Sequence, residues 1–503
     1  YKGLKICLLL VFFGYCSQYY SFMKKTLFFL ISSCLFVNLA LGQFQQGLRM
    51  GKYTSLYQMM LNPAAAPEGT AINLLQGGVF ANNNMLRVSN ANLLQLLPRK
   101  NGLVINFPRG RVKYPNNSTG VPDTLDGFFQ DTLKNHWAYG SFVLEGPSAV
   151  VALNENFSIG LGFRVKGNIG AFKIPPGMIP FTHAAQPFYA TYPIAPFNLN
   201  GAVYTEIPLT LNIKKIVGFN VLSVGTAVKF MLTMMYAFVD SKTDLNISQR
   251  PNNNFNLSNV DGDMGFSVWS RNPISGGIRK SLNGFGMGLD IGARLTEGEG
   301  RWFVGAALND IGYIGFNSNT TTYKVTSTGV SLHEGSDYIS AISKGNVIQA
   351  GNLLSTDILG SSLAGVSGNN FNMLLPTSFN FQGGVSIGNT FFISSFSNIP
   401  LLKAVKNIQS METVMLMPSW ESGFWAVKIP LTLSNRQLFS SGLVFRAGPL
   451  TIGSDNLLSW VSKSSFSGSD FYFALQLPLF FDNNKQNKGR GGKSSNLFRC
   501  YSF

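Results

Sequence analysis

Residues 283–316 contain two stretches in which the side-chain character changes at every second position. In residues 285–293 every odd position is apolar and the even positions are glycine or aspartate, and residues 302–308 repeat the pattern with mixed partners. A period of two is that of a β-strand, which sends one set of side chains to an apolar surrounding and the other to a polar or narrow space. Residues 296–300 between the stretches read TEGEG, a composition typical of a hairpin turn. The segment therefore predicts a β-hairpin with one apolar face.

The same alternation recurs along the chain. It is visible at residues 158–167, 222–232, 424–433, 442–453 and 470–477. Outside the N-terminal leader, no apolar run reaches the roughly 18 to 20 residues that a membrane-spanning helix needs. Charged residues make up 12% of the chain, against about 25% in ordinary soluble domains. Strands with lipid-facing side chains must close into a barrel, because no backbone group can stay unpaired in hydrocarbon. We predict an all-β protein, a closed antiparallel transmembrane β-barrel with an even number of about 12 to 16 strands. A large secreted all-β domain is the alternative.

The N-terminal region has the pattern of a secretory signal peptide: two lysines, an apolar stretch and small residues before a cleavage position at Gly42. We interpret residues 1–42 as an upstream leader plus signal peptide. The alternative is a lipoprotein signal that would place a lipid on Cys34. Cleavage after Gly42 would leave Cys500 as the single cysteine, so no internal disulfide would form.

Long polar stretches separate the predicted hairpins, at residues 108–135, 175–200, 240–281 and 317–374. We expect these stretches to be extracellular loops, since outer-membrane barrels combine long outer loops with short periplasmic turns. The last segment, residues 482–503, carries five cations, and from Asn483 onward it has no acidic residue. It is predicted to be a basic, flexible periplasmic tail.

LNPA at residues 61–64 resembles an element near the start of the FadL-like outer-membrane barrels. LNDIGYI at 308–314 and IGSDNLL at 452–458 resemble an uncharacterised outer-membrane family related to the PorV and PorP/SprF proteins of type IX secretion and gliding motility. The resemblance implies a barrel of about 14 strands in residues 76–481 and an N-terminal hatch, residues 43–75, inside its lumen. It also implies that Asn62 and Pro63 anchor the hatch. A simple Asn-Pro turn is the alternative.

Five basic side chains fall on the polar faces of predicted strands and are expected to face the lumen: Arg164, Lys166, Lys229, Arg294 and Arg446. They could attract an anionic group. The alternative is that they pair with Asp290, Glu206 or acidic residues of the hatch, because an unpaired charge inside the barrel is costly.

Enzymatic chemistry finds little support in the sequence. Residues 384–388, GVSIG, match the nucleophile elbow of serine hydrolases, but all three histidines precede Ser386 and that fold places its histidine last. Neither a metal-ligand spacing nor a dinucleotide motif followed by a helix is present. We therefore expect no enzyme activity, no cofactor and no metal. Nucleic acid is not an expected partner either, because the sequence has no basic-aromatic cluster.

Two functions of different classes follow from these predictions. The first is a structural or adaptor barrel, multi-pass in the outer membrane, that docks a periplasmic or secreted protein and is linked to type IX secretion or gliding. The second is passive, FadL-like transport of a hydrophobic small molecule. A kinked strand beside an apolar lumen pocket would favour transport, and a packed lumen with an exposed aromatic ridge on the loops would favour docking. In both cases, membrane lipid and lipopolysaccharide are the expected surroundings.

Overall fold

The computed structural model describes residues 45–51, 55–67, 69–89, 103–107, 110–114, 123–129, 136–174, 191–249, 255–267, 282–298, 300–318, 320–327, 330–332, 356, 366–367, 370–402, 408, 410–461 and 467–479. The helices in these residues are α1 (Gln46–Arg49), α2 (Ser55–Gln58) and α3 (Leu458–Val461). The strands in the first half are β1 (Thr70–Asn83), β2 (Leu86–Ser89), β3 (Leu103–Phe107), β4 (Gly110–Tyr114), β5 (Asp123–Phe129), β6 (His136–Glu145), β7 (Ser148–Ala152), β8 (Phe157–Leu161), β9 (Arg164–Ile174), β10 (Thr191–Ile194), β11 (Asn198–Val217), β12 (Asn220–Ser241), β13 (Leu245–Gln249), β14 (Phe255–Ser258) and β15 (Val260–Ser267). Those in the second half are β16 (Gly284–Glu297), β17 (Trp302–Phe316), β18 (Thr320–Ser327), β19 (Val330–Leu332), β20 (Val366–Ser367), β21 (Phe371–Leu374), β22 (Ser378–Ile387), β23 (Phe391–Pro400), β24 (Thr413–Glu421), β25 (Trp425–Lys428), β26 (Leu431–Ser434), β27 (Leu438–Ser441), β28 (Leu443–Ala447), β29 (Leu450–Ser454) and β30 (Gly468–Leu479).

One antiparallel sheet closes on itself and forms a barrel. Its first strand, β1, pairs with the last strand, β30, on one side and with β6 and β7 on the other. Within the described residues the wall has 14 strand positions, and several of these consist of collinear segments such as β8 and β9. None of the helices described is long and apolar enough to cross a membrane. The predicted all-β, closed antiparallel barrel is confirmed.

The alternation that predicted the first hairpin is visible in the wall. β16 and β17 pair along their length and are joined by a short turn. Phe285 and Ile291 point outward with 52% and 47% of their surface exposed, whereas Gly286 and Gly292, on the other face of the same strand, are buried. Apolar side chains on the outside and polar ones on the inside are the arrangement that a barrel in lipid requires.

The two ends of the barrel differ in their connections. One end carries short turns, for example between β11 and β12 and between β22 and β23, and the ends of β1 and β30 that meet at Thr70 and Leu479 lie there as well. We call it the short-turn end. The opposite, long-loop end carries two additional four-stranded sheets, β10–β13–β14–β19 and β2–β5–β3–β4.

Part of the sequence predicted to be loop is thus strand. β15 and β18 pair with each other and lengthen the wall at the long-loop end. The reason is visible in β18, TTTYKVTS, where threonine, tyrosine and valine supply strand-forming side chains in a stretch that is polar overall. The first barrel strand also begins at Thr70, ahead of the boundary at residue 76 placed from the sequence.

Candidate lumen site

The described part of the hatch lies inside the barrel. Leu48, Leu61 and Asn62 have no exposed surface. Leu61 and Met50 pack with wall residues such as Phe396 in one apolar cluster. The helices of this segment are only four residues long, so its conformation depends on contacts with the wall rather than on helix propensity.

Asn62 is hydrogen-bonded to two different wall strands. Its Nδ2 donates to the carbonyl oxygens of Ala293 at 3.0 Å and Ala306 at 3.4 Å, and its Oδ1 accepts from the backbone N–H of Ala64 at 2.9 Å. The carbonyl of the next residue, Pro63, accepts from Asn212 Nδ2 at 3.2 Å. The Asn-Pro pair therefore both forms a local turn and contacts the wall, which combines the two alternatives that the sequence left open.

Glycines in the wall leave room for this turn. Gly225 of β12 and Gly292 of β16 lie opposite each other in the ladder. A Cβ atom on Gly225 would overlap the carbonyl group of Pro63, and one on Gly292 would overlap the side chain of Asn62. Close approach of two backbones is a reason for glycine inside a strand. We call this glycine pair the hatch seat.

The other end of the hatch is held by the third motif. The carboxylate of Asp455 accepts hydrogen bonds from the backbone N–H groups of Gln46 at 2.7 Å and Gly47 at 3.1 Å, and from the hydroxyl of Tyr472 at 2.7 Å. In the second motif, Asn309 Nδ2 donates to the carbonyl of Leu61 at 2.9 Å. All three motifs that carried the family resemblance thus contribute contacts between hatch and wall.

A layer of ion pairs lies beside the hatch, and it contains three of the five basic residues predicted to face the lumen. Arg164 and Lys166 lie 3.5 Å and 2.6 Å from the carboxylate of Glu206. Lys229 Nζ lies 2.6 Å from Asp290 and 2.6 Å from Asp310. Three cations face three carboxylates, so the layer has no net charge. These are the contacts of the salt-bridge alternative, with Asp310 as a partner that the sequence did not indicate.

The remaining two basic residues lie elsewhere. Arg294 contacts the hatch, where it donates to Gln58 Oε1 at 2.5 Å and covers the ring of Phe303 with its guanidinium carbon 3.9 Å from the ring centre. Arg446 donates to the carbonyl oxygens of Ser422 and Gly423 in the turn before β25, at the short-turn end. The five residues therefore do not form one basic surface.

Beyond the ion pairs, towards the long-loop end, the lumen becomes apolar. We call this group of buried side chains the apolar lumen cluster: Ala202, Tyr204, Met231, Tyr236, Phe238, Ile314, Phe316, Met373, Leu375 and Ile408, with Phe371 packed against them. Its rings are stacked closely, with centroid distances of 5.0 Å for Tyr236–Phe316 and for Phe316–Phe371. Aromatic and aliphatic side chains here face inward, against the pattern of the rest of the wall.

Two β-bulges turn Tyr236, Phe238, Ile314 and Phe316 towards the lumen, whereas Ala202, Tyr204 and Met231 face it in the regular alternation of their strands. In β17, Asn309 and Asp310 together oppose the single residue Asp290, and the backbone of Asp310 is left-handed at a φ of 57°. In β12, the register shifts at Met234 in the same way. Because side chains alternate with a period of two, one extra residue moves every later side chain to the opposite face. Residues beyond the bulges that would otherwise face lipid, such as Phe316, therefore face the lumen.

The regular strand ladder is interrupted near the hatch, where two backbone hydrogen bonds, from Gly146 N–H to the Phe163 carbonyl at 2.9 Å and from Gly162 N–H to the Pro208 carbonyl at 3.2 Å, join the neighbouring segments. Gly146 and Pro147 separate β6 from β7, Gly162 and Phe163 separate β8 from β9, and Pro208 of β11 lies next to the second break. Proline has no N–H group, so it cannot complete the ladder at such a position. We call these five residues the wall gap.

A cavity of about 40 Å³ lies at the wall gap. It is lined on one side by Leu161, 59% of which is exposed on the outside of the barrel, and on the other by the hatch residues Leu56, Met59 and Met60. Arg164 of the ion-pair layer lines it as well. The cavity therefore connects the lipid-facing surface, the hatch and the charged layer of the lumen.

The sequence did not reveal the wall gap. Residues 158–167 were predicted to be one strand because the alternation is regular across Gly162 and Phe163. A usable signal was the concentration of proline and glycine in three neighbouring strands, since Pro147 and Pro208 are both disfavoured inside a ladder. The structure also places Ser386 inside β22, not on a strand-to-helix turn as a nucleophile elbow requires.

Comparison with solved structures returned FadL-family outer-membrane channels. The TodX deltaS2S3 mutant monoaromatic hydrocarbon channel is 9% identical with a TM-score of 0.38, over 84% of this chain and 94% of that chain. The toluene transporter TbuX of Ralstonia pickettii is 9% identical with a TM-score of 0.35, over 84% and 92%. A Pseudomonas aeruginosa FadL homologue is 9% identical with a TM-score of 0.23, over 84% and 93%.

Comparison with curated protein sequences found no match. A family model does match, and it covers residues 63–455, which include the hatch seat, the ion-pair layer, both bulges, the wall gap and Asp455. The matched region is most of the chain, and its description is a family of unknown function. The chain belongs to this family, DUF5723.

Proposed function

We propose that this protein is a multi-pass barrel of the outer membrane that lets small apolar molecules pass between its lumen and the lipid through the wall gap. The observation that carries the proposal is the cavity at this gap, which is lined both by lipid-exposed Leu161 and by Met59 of the hatch. A molecule that leaves sideways stays in an apolar surrounding and avoids the polar exterior of the membrane.

The ion-pair layer supports a lateral route rather than an axial one. Moving an apolar molecule past Glu206, Lys229 and Asp290 would separate buried charges that now compensate one another. The apolar lumen cluster lies on the far side of that layer and supplies an apolar environment near the long-loop end. The route at the wall gap bypasses most of the charged layer and meets two charged residues, Arg164 at the edge of that layer and Glu145.

Passage of a molecule requires side chains of the hatch to move. The cavity of about 40 Å³ is smaller than the roughly 150 Å³ of an engineered protein cavity that holds benzene. Leu56, Met59 and Met60 line it, and methionine adapts to different shapes because its side chain is unbranched and flexible. Rotation of these side chains enlarges the cavity without breaking a hydrogen bond of Asn62.

Substitution of Gly162 by leucine tests the proposal. A Cβ atom at this position would lie 3.2 Å from Ser148 Cβ and 3.4 Å from Pro208 Cγ, so these neighbours have to shift slightly, and the longer side chain fills the gap. The measurement is uptake of radiolabelled toluene by cells that have a lipopolysaccharide outer leaflet and no other hydrocarbon channel. We expect the uptake rate of the variant to fall to that of cells without the protein.

The matched control is Ala293→Leu, which adds the same side chain at an outward-facing, exposed position of β16. This variant is expected to take up toluene at the unchanged rate. Equal uptake by the Gly162→Leu variant and the original protein, with both barrels folded, would contradict a lateral route through the gap.

The adaptor function, with its link to type IX secretion or gliding, stays a prediction. The basic tail at residues 482–503 and much of the outer loops, which would carry contacts to a periplasmic or secreted partner, lie outside the described residues. Association of the outer wall with lipopolysaccharide is part of the same proposal for the outer membrane. The wall gap favours transport of a hydrophobic molecule, and no comparable feature of the described residues favours docking.

A further inference from the structure

One wall of the lumen carries a row of uncharged polar side chains. We call it the neutral ladder: Ser378, Asn380, Gln382 and Ser386 on β22, with Ser394 and Asn398 on β23. All six side chains are more than nine-tenths buried. Neither β22 nor β23 contains a charged residue, so this wall differs from the one that holds the ion pairs.

The ladder faces the lumen beside the hatch. Asn380 Nδ2 donates to the carbonyl of Leu61 at 3.1 Å, which fixes the direction in which this set of side chains points. Asn398 lies directly opposite Asn380 in the ladder of β22 and β23. Phe396, between Ser394 and Asn398, packs against the hatch residue Met50 in the same apolar cluster. The row therefore runs between the wall and the hatch.

Most of its hydrogen-bonding capacity is unused. Among the described residues, both side-chain polar atoms of Gln382 and of Asn398 have no hydrogen-bond partner, and neither do the hydroxyls of Ser378, Ser386 and Ser394. The Oδ1 atom of Asn380 also has no hydrogen-bond partner among the described residues. Buried polar groups in proteins are almost always paired with protein atoms or with ordered water. So many donors and acceptors in one row indicate a ligand that both donates and accepts.

The row is long enough to be a path, which the stacked rings of Phe303 and Phe392 narrow at Gly384, between Gln382 and Ser386. A strand rises about 3.3 Å per residue, so Ser378 and Ser386 are about 26 Å apart along β22. With the usual strand tilt of about 35–45°, the row covers roughly 20 Å of the height of about 25 Å of the apolar band of an outer-membrane barrel. Ser386 lies next to the turn that ends β22 at the short-turn end, and Ser378 is the first residue of that strand. The two strands offer no charged side chain that could compensate an ion.

We propose that the neutral ladder binds water and small neutral solutes that donate and accept hydrogen bonds, and that it forms a polar path for them beside the hatch. This path is separate from the wall gap, and it does not depend on transport of apolar molecules. The two routes differ in chemistry: the cavity at the wall gap is lined mainly by aliphatic side chains, methionine and proline, with Glu145 and Arg164, whereas the neutral ladder carries only amides and hydroxyls.

The test combines Gln382→Met and Asn398→Leu in one variant. Both substitutions keep approximate size, remove unpaired polar atoms and leave the hydrogen bond from Asn380 to Leu61 in place. Purified full-length protein is reconstituted in vesicles, and water flow after an osmotic shock is followed by stopped-flow light scattering. We expect the original protein to raise water permeability above that of empty vesicles and the double variant to lose this increase.

Thr233→Val is the control, because Thr233 is another fully buried residue whose hydroxyl has no partner among the described residues, but it lies on β12, outside the ladder. It is expected to keep full water permeability. Urea and glycerol are tested in the same vesicles. If the original protein lets these molecules enter, the ladder binds small neutral solutes as well as water. If it excludes them while water still flows, the ladder binds water alone.

Two results would overturn the proposal. One is equal water permeability of the double variant and the original protein, or of the original protein and empty vesicles. The other is a higher melting temperature of the double variant, because removing unpaired polar atoms stabilises a protein only when those atoms are dry. Retention of a heat-modifiable band in detergent gels verifies that each variant barrel is folded, so a loss of flow reports on the path itself.

Discussion

Replacing Lys229 by methionine is expected to lower the free energy of unfolding of the barrel by about 3–5 kcal/mol, because it leaves buried carboxylates without their cation. Lys229 Nζ lies 2.6 Å from both Asp290 and Asp310, and 97% of the lysine side chain is shielded from solvent. Urea titration of the protein folded in lipid vesicles, followed by tryptophan fluorescence, measures the change. A stability equal to that of the original protein would contradict the assigned role of the ion pairs.

The matched control is Lys242→Met, which breaks an exposed ion pair in the same part of the chain. Lys242 lies 2.9 Å from Asp263, but 39% of its side chain is exposed, and such pairs contribute less than about 1 kcal/mol. A further variant separates lost charge balance from lost packing. Adding Asp310→Asn to Lys229→Met leaves two cations facing two carboxylates, so we expect this double variant to recover part of the lost stability.

Replacing Gly225 by valine is expected to expel the hatch from its seat and open the barrel. The new Cβ atom would overlap the backbone of Pro63 and Ala64, and backbone atoms cannot rotate away as a flexible side chain does. The contacts of Asn62 with the wall would then be lost together. Single-channel recording in planar bilayers is expected to show a large rise in ion conductance, and trypsin is expected to cleave after Arg49, which is buried in the intact barrel.

Gly201→Val is the control for this experiment. Gly201 lies on β11, the partner strand of β12, and a Cβ atom there would have only ordinary contacts, the nearest at 3.5 Å from a backbone oxygen. It is expected to keep low conductance and a protected Arg49. If the Gly225→Val barrel also stays closed and resistant to trypsin while folded, the hatch seat does not hold the hatch.

The barrel itself could be predicted from the sequence because its signal is local. The alternation of β16 depends only on neighbouring positions, and it gives both the strand and the face that meets lipid. The hatch was predicted differently, from the resemblance carried by short motifs such as LNPA. Those motifs are now explained by geometry, since Asn62, Asn309 and Asp455 each provide a contact between hatch and wall.

The features that position the candidate site were beyond a local pattern. Bulges at Met234 and Asp310 move the side chains that follow them to the opposite face of the sheet. In a short stretch of sequence, one extra residue within a regular alternation cannot be told from an irregular pattern. Residues 442–453 show the same difficulty: they were predicted to be one strand, yet the chain reverses there at Gly448, whose φ is 55°. The turn residues Gly448 and Pro449 were the signal.

The ion-pair partners of the charged lumen residues could not be predicted from the sequence either. Lys229 and Asp310 are far apart in the sequence, and they meet because three neighbouring strands and one bulge bring them to the same height. The inward direction of Lys229 followed from the alternation of β12, but which carboxylate it contacts depends on strand register. Register is a property of the assembled sheet.

The pairing of β1 with β30 has a consequence for assembly. The hatch precedes β1 directly in the chain, yet Asn62 and Asn309 connect it to strands in the middle of the sequence, and Asp455 connects it to the residue after β29. A covalently tethered peptide with contacts on so many sides has to be in position while the sheet is still an open, curved ribbon. β30, the most C-terminal of the described strands, then completes the seam by pairing with β1. The barrel therefore encloses the hatch in the same step that pairs its two free strand edges.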